Sequence, residues 1–230
     1  MESEQKNEST KPRRNRFSTR KLLLTVGVVL ILVVALGYVL SRNYLTPSST
    51  ELAVTFDFDN DYPPLAEGQN SPFNQTSDGI TAYFSSPSDT VVAPAFSIQS
   101  YETTFITLSQ FSGKYLYDNK PSRDTLDIKF SQQLKSISLT FATIEYQTGP
   151  TDITLTAYVN SADTTPVGSA SARGTVLTGL YPQGFLSFDS GGEPFNIVRI
   201  EIPSEGSGET TNFFVDNIRV KLMQQEQSIK

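Results

Sequence analysis

The stretch LLLTVGVVLILVVALGYVL, residues 22–40, runs for nineteen residues without a charge. Leu, Ile and Val fill fourteen of its positions. As a helix it would be ~28 Å long at ~1.5 Å per residue, close to the ~30 Å hydrocarbon core of a bilayer. It has no polar face to turn toward water, so a buried core helix is a poor fit. Residues 1–21 carry seven basic and three acidic side chains, a net of +4, so the −6 of the whole chain leaves −10 for the remainder. That charge step keeps the N-terminal end in the cytoplasm and predicts a single-pass signal-anchor with the rest of the chain outside. The alternative is secretion after signal-peptide cleavage, with Val33 and Ala35, or Ala35 and Gly37, as the small residues before the cut. A long basic region and an apolar run beyond the usual ~7–15 residues favour the retained anchor.

This division organises the rest. Residues 1–21 read as a basic cytoplasmic tail without an apolar period, and residues 41–50, SRNYLTPSST, as a polar tether. The chain has no Cys, hence no disulfide framework, thiol nucleophile or lipid-modified cysteine. It has no His, which removes the commonest general base and zinc ligand. Its acidic balance argues against a nucleic-acid partner, because phosphate contacts need a basic face.

From residue 51 to 222 the apolar residues alternate with period two. Val54, Phe56 and Phe58 form one set, and Ile137, Leu139 and Phe141 another. Ile153, Leu155, Ala157 and Val159 follow, then Val198, Ile200 and Ile202, then Phe214, Ile218 and Val220. GITAYFSS, TFITLS, TLDIKF and GFLSFDS read as further strands. Turn signals such as DNDYPP, SSPSD, DNKPS, SGGEP and SEGSGE stand between them. About ten short strands predict an all-β domain, a jelly-roll β-sandwich, followed by a polar tail over residues 223–230.

TFDFDN at residues 55–60 and FFVDNIRV at residues 213–220 bracket the domain. IKFSQQLKSISLTF followed by DITLTAYVN looks like a pair of central strands. Together these stretches resemble the jelly-roll domains of secreted bacterial and archaeal proteins, including the calcium-containing, galactose-binding-like carbohydrate-binding modules. The resemblance implies that the first and last strands meet and that acidic residues from both hold a structural Ca²⁺. Carried over, the ligands are Asp57 or Asp59 with Asp216. The residues lend separate support: Asp216 shares parity with Phe214, Ile218 and Val220, and an inward charge is costly unless paired or metal-bound. A plainer reading stays open. Asp59 and Asp61 flank the turn Tyr62-Pro63-Pro64, Asp57 shares the parity opposite to Phe56, and Asp216 can serve as a backbone acceptor. An EF-hand is excluded, because Tyr62 and Gly68 stand where that loop needs Gly and Glu.

Tyr115, Tyr117 and Tyr146 form a candidate aromatic platform for sugar faces, with Tyr62 and Tyr181 also in or near loops. No carboxylate pair is placed across a cleft, and no Ser has a His partner, so the chain does not read as an enzyme. Asn74-Gln75-Thr76 is a glycosylation acceptor sequence. The function expected is non-catalytic recognition, with glycans or cell-envelope proteins as partners and the membrane as the support of residues 22–40. The alternative is an envelope assembly protein without a small ligand.

Overall fold

The computed structural model describes residues 52–90, 92–100, 108–119, 125–144, 151–160, 165–176, 181–203 and 211–223. The run at residues 22–40 lies outside them. Within them the chain forms eleven antiparallel strands. These are β1 (Ala53–Phe56), β2 (Phe73–Ser77), β3 (Ile80–Ser85), β4 (Phe96–Ser100), β5 (Lys114–Asp118) and β6 (Leu126–Ile144). They continue as β7 (Asp152–Tyr158), β8 (Gly168–Arg173), β9 (Gln183–Asp189), β10 (Phe195–Glu201) and β11 (Asn212–Leu222).

Nineteen-residue β6 organises the fold. Its first part, around Ile128, lies between β3 and β10, in a layer that continues from β2 through β3, β6, β10 and β7 to β8. Its second part, around Leu139, lies between β11 and β9. β11 also carries β5 on its N-terminal half and β1 on its C-terminal half. β6 thus passes from one layer of a β-sandwich into the other, turning at the exposed residues Ser131, Gln132 and Gln133. TLDIKF and the later Ile137–Phe141 alternation, two strands by sequence, are one. The expected pairing of β6 with β7 is not found: β10 stands between them. The expected meeting of first and last strands is found, with Val54 opposite Val220 and Phe56 opposite Ile218.

The main core lies between the layers. Phe56, Phe58, Phe84, Phe96, Phe130, Phe141, Phe195 and Phe213 are all fully buried. Ring pairs tie strands together, with Phe56 and Phe130 centroids 6.0 Å apart and Phe58 and Phe84 5.5 Å apart. Each such side chain stabilises the fold by roughly 1.5–3 kcal/mol through the water-exposed area it removes. A smaller cluster lies on the other face of the second layer. There Phe214, Ala142 and Ile144 are covered by Leu108, Phe111 and Tyr115.

A bulge in β11 decides which face each residue takes. Pairing steps from Asp216 opposite Thr140 to Arg219 opposite Ser138, so β11 carries one extra residue, and Asn217 there has φ 50°. An extra residue reverses the alternation. Phe213 and Val215 therefore share the main core with Ile218 and Val220, while Phe214 faces the smaller cluster. Asp216 lies on the Phe214 side. Its parity with Ile218 and Val220, a reason to expect it in the main core, does not survive the bulge, yet it is fully buried.

Candidate functional site

The acidic residues named from sequence gather at one turn. β1 ends at Phe56, and Phe58, with φ 62°, turns the chain back over it. Asp57 caps this turn: its Oδ1 accepts the N–H of Asp59 at 3.1 Å and that of Asn60 at 3.0 Å. Its Oδ2 accepts the Asn60 side-chain amide at 2.9 Å. Burial works against the Asp57 charge, but the Asn60 and Asp59 donors outweigh it and hold the carboxyl below its usual range. Asp61, largely buried, accepts the Asp57 N–H at 3.1 Å; burial and the Asp57 charge raise its pKa.

Asp59 and Asp216 meet across the segment that leads into β5. Asp216 Oδ2 accepts the Ser112 N–H at 3.2 Å, and Asp59 Oδ1 accepts the Lys114 N–H at 3.1 Å. Gly113 stands between them with φ 60°, and a Cβ there would lie 1.9 Å from Asp59 Oδ2. Only glycine leaves room for that carboxylate. Asp216 also accepts the Asn217 N–H at 2.7 Å and its side-chain amide at 3.0 Å. Burial pushes Asp216 up to about 7; the Ser112 and Asn217 donors oppose the rise, and the Asp59 and Asp57 charges add to it.

The three aspartates expected to meet thus do come together, but as hydrogen-bond acceptors. Both Asp216 oxygens and both Asp57 oxygens already face N–H donors. Among the described residues no three acidic side chains converge closely enough to hold an ion. As arranged, the set is a hydrogen-bonded clamp: the expected ligands, Asp57 or Asp59 with Asp216, are drawn to one place, and among the described residues they form no metal site.

The expected aromatic platform is also different from its sequence reading. Tyr115 is fully buried, with its ring edge-on to Phe111 and to Phe214, both at 5.7 Å between centroids. Tyr117 is half-buried and packs on Phe214 at 5.1 Å. Both rings do lie on one face of β5, but segment 108–112 covers that face, so Tyr115 offers nothing to a sugar. Tyr181 also packs on Phe214. Tyr146 lies outside the described residues.

Tyr62, named from sequence, is 74% exposed, and a further exposed ring, on the face of a sheet, is one the sequence reading passed over. Tyr83 points outward from β3 and is 46% exposed. In register beside it on β2 is the exposed side chain of Asn74. Both line an open cleft of about 380 Å³ together with Gln69, Ser85, Pro63 and Pro72. Tyr83 alternates with Ala82 and Phe84, which are buried, and that alternation was the available signal. In the acceptor sequence at Asn74, Gln75 is buried and Thr76 Oγ1 bonds Thr81 Oγ1 at 2.8 Å.

Fold and site define a β-sandwich domain with an open cleft holding an exposed aromatic ring, hydroxyl groups and neutral amides. No family model and no curated protein matches the sequence. Among solved structures the chain is similar to a family 29 carbohydrate-binding module, with 10% identity over 74% of this chain and 89% of that one, at a TM-score of 0.32. It is similar to the K1 cleaved adhesin domain of Lys-gingipain from Porphyromonas gingivalis W83, with 11% identity over 74% of this chain and 98% of that one, at a TM-score of 0.36. It is also similar to the Arthrobacter globiformis T6 isomalto-dextranase solved with panose, with 12% identity over 74% of this chain and 32% of that one, at a TM-score of 0.33. The fold assignment rests on the strand pairing itself.

Proposed function

We propose that this chain is a recognition protein that binds carbohydrate through its sandwich domain without catalysis, held to the membrane by residues 22–40 with residues 51–230 outside. The observation that carries the binding reading is Tyr83, an exposed ring beside the Asn74 amide over an open cleft. A sugar presents apolar C–H faces to such a ring and hydroxyl groups to neighbouring amides. Asn74 and Gln69 supply both donors and acceptors there. Calcium forms no part of this reading, because no acidic side chain lines the cleft.

The test is a glycan array probed with the full chain in detergent micelles, alongside Tyr83→Ala. A wild-type glycan signal that the variant loses or weakens supports the proposal; an array with no wild-type signal, or with every signal unchanged in the variant, sinks it. For the topology, protease added to intact cells should remove residues 51–230. A protected C-terminal domain, or a mature chain starting after residue 35 or 37, would refute the anchor.

One observation favours the second reading, assembly with another envelope protein. Phe185 on β9 points away from the core and is 68% exposed. Retention of an envelope protein by the wild type, lost in Phe185→Ser, would favour assembly over sugar binding.

A further inference from the structure

A second cleft takes Gly68 and Asn70 from the segment that lends Gln69 to Tyr83's cleft. It has a volume of about 440 Å³ and is lined by Asn70, Ser97, Gln99 and Asn119, with Gly68 and Pro94 at its margin. We propose that it is a second, independent binding site, for an uncharged polyhydroxylated ligand, a neutral sugar unit.

Its charge character is the first argument. In a chain of net charge −6, none of the residues lining this cleft is charged. A charged ligand would give up water here and meet no counter-charge, which is unfavourable. A ligand rich in hydroxyl groups would meet amides and a hydroxyl, which donate and accept in turn.

The second argument is that the polar groups are held in place. Ser97 Oγ donates to Asn119 Oδ1 at 2.7 Å, and Gln99 Nε2 donates to Ser97 Oγ at 3.1 Å. Asn119 Nδ2 donates to the Pro94 carbonyl at 3.3 Å. The wall opposite β4 is fixed by main-chain bonds, Gly68 N–H to Ile98 O at 2.7 Å and Ile98 N–H to Gln69 O at 2.9 Å. Side chains ordered before the ligand arrives reduce the entropy lost on binding.

The third argument is what stays unused. These bonds leave the Gln99 side-chain oxygen, one Gln99 N–H and the whole Asn70 side-chain amide without a partner among the described residues. Gly68 has φ 77° and open space where a Cβ would stand, so the lip exposes main chain rather than a side chain. The volume falls in the ~300–1,000 Å³ range of small-ligand sites, with a few placed polar groups fixing orientation.

The proposal extends the carbohydrate reading above but does not depend on Tyr83. The test is calorimetric titration of the full chain in detergent micelles with maltotetraose, cellotetraose and mannotetraose, and with tetragalacturonate as the charged probe. The variants are Tyr83→Ala and the double variant Asn70→Ala/Gln99→Ala; neither Asn70 nor Gln99 is buried. At least one neutral probe should bind at two sites, one of which persists with unchanged affinity in Tyr83→Ala and weakens by about tenfold or more in the double variant, as expected from two lost hydrogen bonds. Neutral binding abolished by Tyr83→Ala, or unchanged in the double variant, would overturn the second site while the Tyr83 reading stands. Binding of tetragalacturonate alone would overturn it too. Neutral binding sensitive only to the double variant would uphold this site and sink the assignment to Tyr83.

Discussion

Asp216 makes the domain less stable as the pH rises. Its carboxyl is fully buried and its pKa stands at about 7 against an ordinary 3.8. Below pH 3.8 the group is protonated both folded and unfolded and contributes no pH dependence. Between pH 3.8 and about 7 the folded chain keeps a proton that the unfolded chain releases, so stability falls with rising pH. Above that window the loss is complete and constant. A difference of about three units at ~1.36 kcal/mol each gives a loss of about 4 kcal/mol. Asp61, raised mainly by burial, adds in the same direction. The clean measurement is therefore the difference between wild type and Asp216→Asn. At pH 4 the amide turns an N–H donor toward N–H groups that a neutral carboxyl can still accept, so the variant should be less stable than wild type by roughly 1–3 kcal/mol. At pH 8 the amide removes the buried charge but turns one N–H donor toward another, which costs roughly 1–3 kcal/mol. The variant should then be more stable than wild type by about 1–3 kcal/mol, the remainder of that ~4. Urea unfolding of residues 51–230 at pH 4, 6 and 8 in EDTA reads both quantities. A wild-type stability that is flat or rises from pH 4 to 8, with Asp216→Asn parallel to it, would refute the account of a carboxylate whose burial outweighs its N–H donors.

Other outcomes follow from the same geometry. Gly113→Ala puts a Cβ on the Asp59 carboxylate at a left-handed φ, so it should lower stability by about 2 kcal/mol or more in thermal melts, and Asp59→Gly should restore part of the loss. Replacing EDTA with millimolar Ca²⁺ should leave the wild-type melting temperature unchanged; a rise of several degrees, absent in Asp216→Asn, would show that the clamp rearranges into an ion site. Tyr115→Ala should cost about 3–5 kcal/mol, as for other large buried side chains, whereas Tyr83→Ala should change the melting temperature little while removing the glycan binding of its own cleft. An equal melting loss in both variants would contradict the buried and exposed placements of these two rings.

Local pattern carried much of the architecture. Period-two alternation at Ile153–Ala157, Val198–Ile202 and Val54–Phe58 marked real core faces, because a half-buried strand must alternate whatever its partners are. The bracketing strands met as expected, and the aspartates of both came to one place. β2, β4 and β8 went unread, since FNQTS, FSIQS and GSASAR have too few apolar residues to show a period. Partners are another matter. That β10 separates β6 from β7, and that β6 serves both layers, depends on contacts distant in sequence, which no short window contains. Facing is harder still once alternation breaks. The extra residue at Asn217 sends Phe214 and Asp216 to one face and Ile218 to the other, and FFVDNIRV carries no mark of it. Whether an aromatic ring is free likewise depends on what packs over it. Tyr115 and Tyr83 both sit in short alternating strands, but segment 108–112 folds over the first and leaves the second open. The charge of the acidic turn was legible in the order of its residues; that its oxygens accept N–H groups was set by the approach of Ser112, Gly113 and Lys114 from a strand more than fifty residues away.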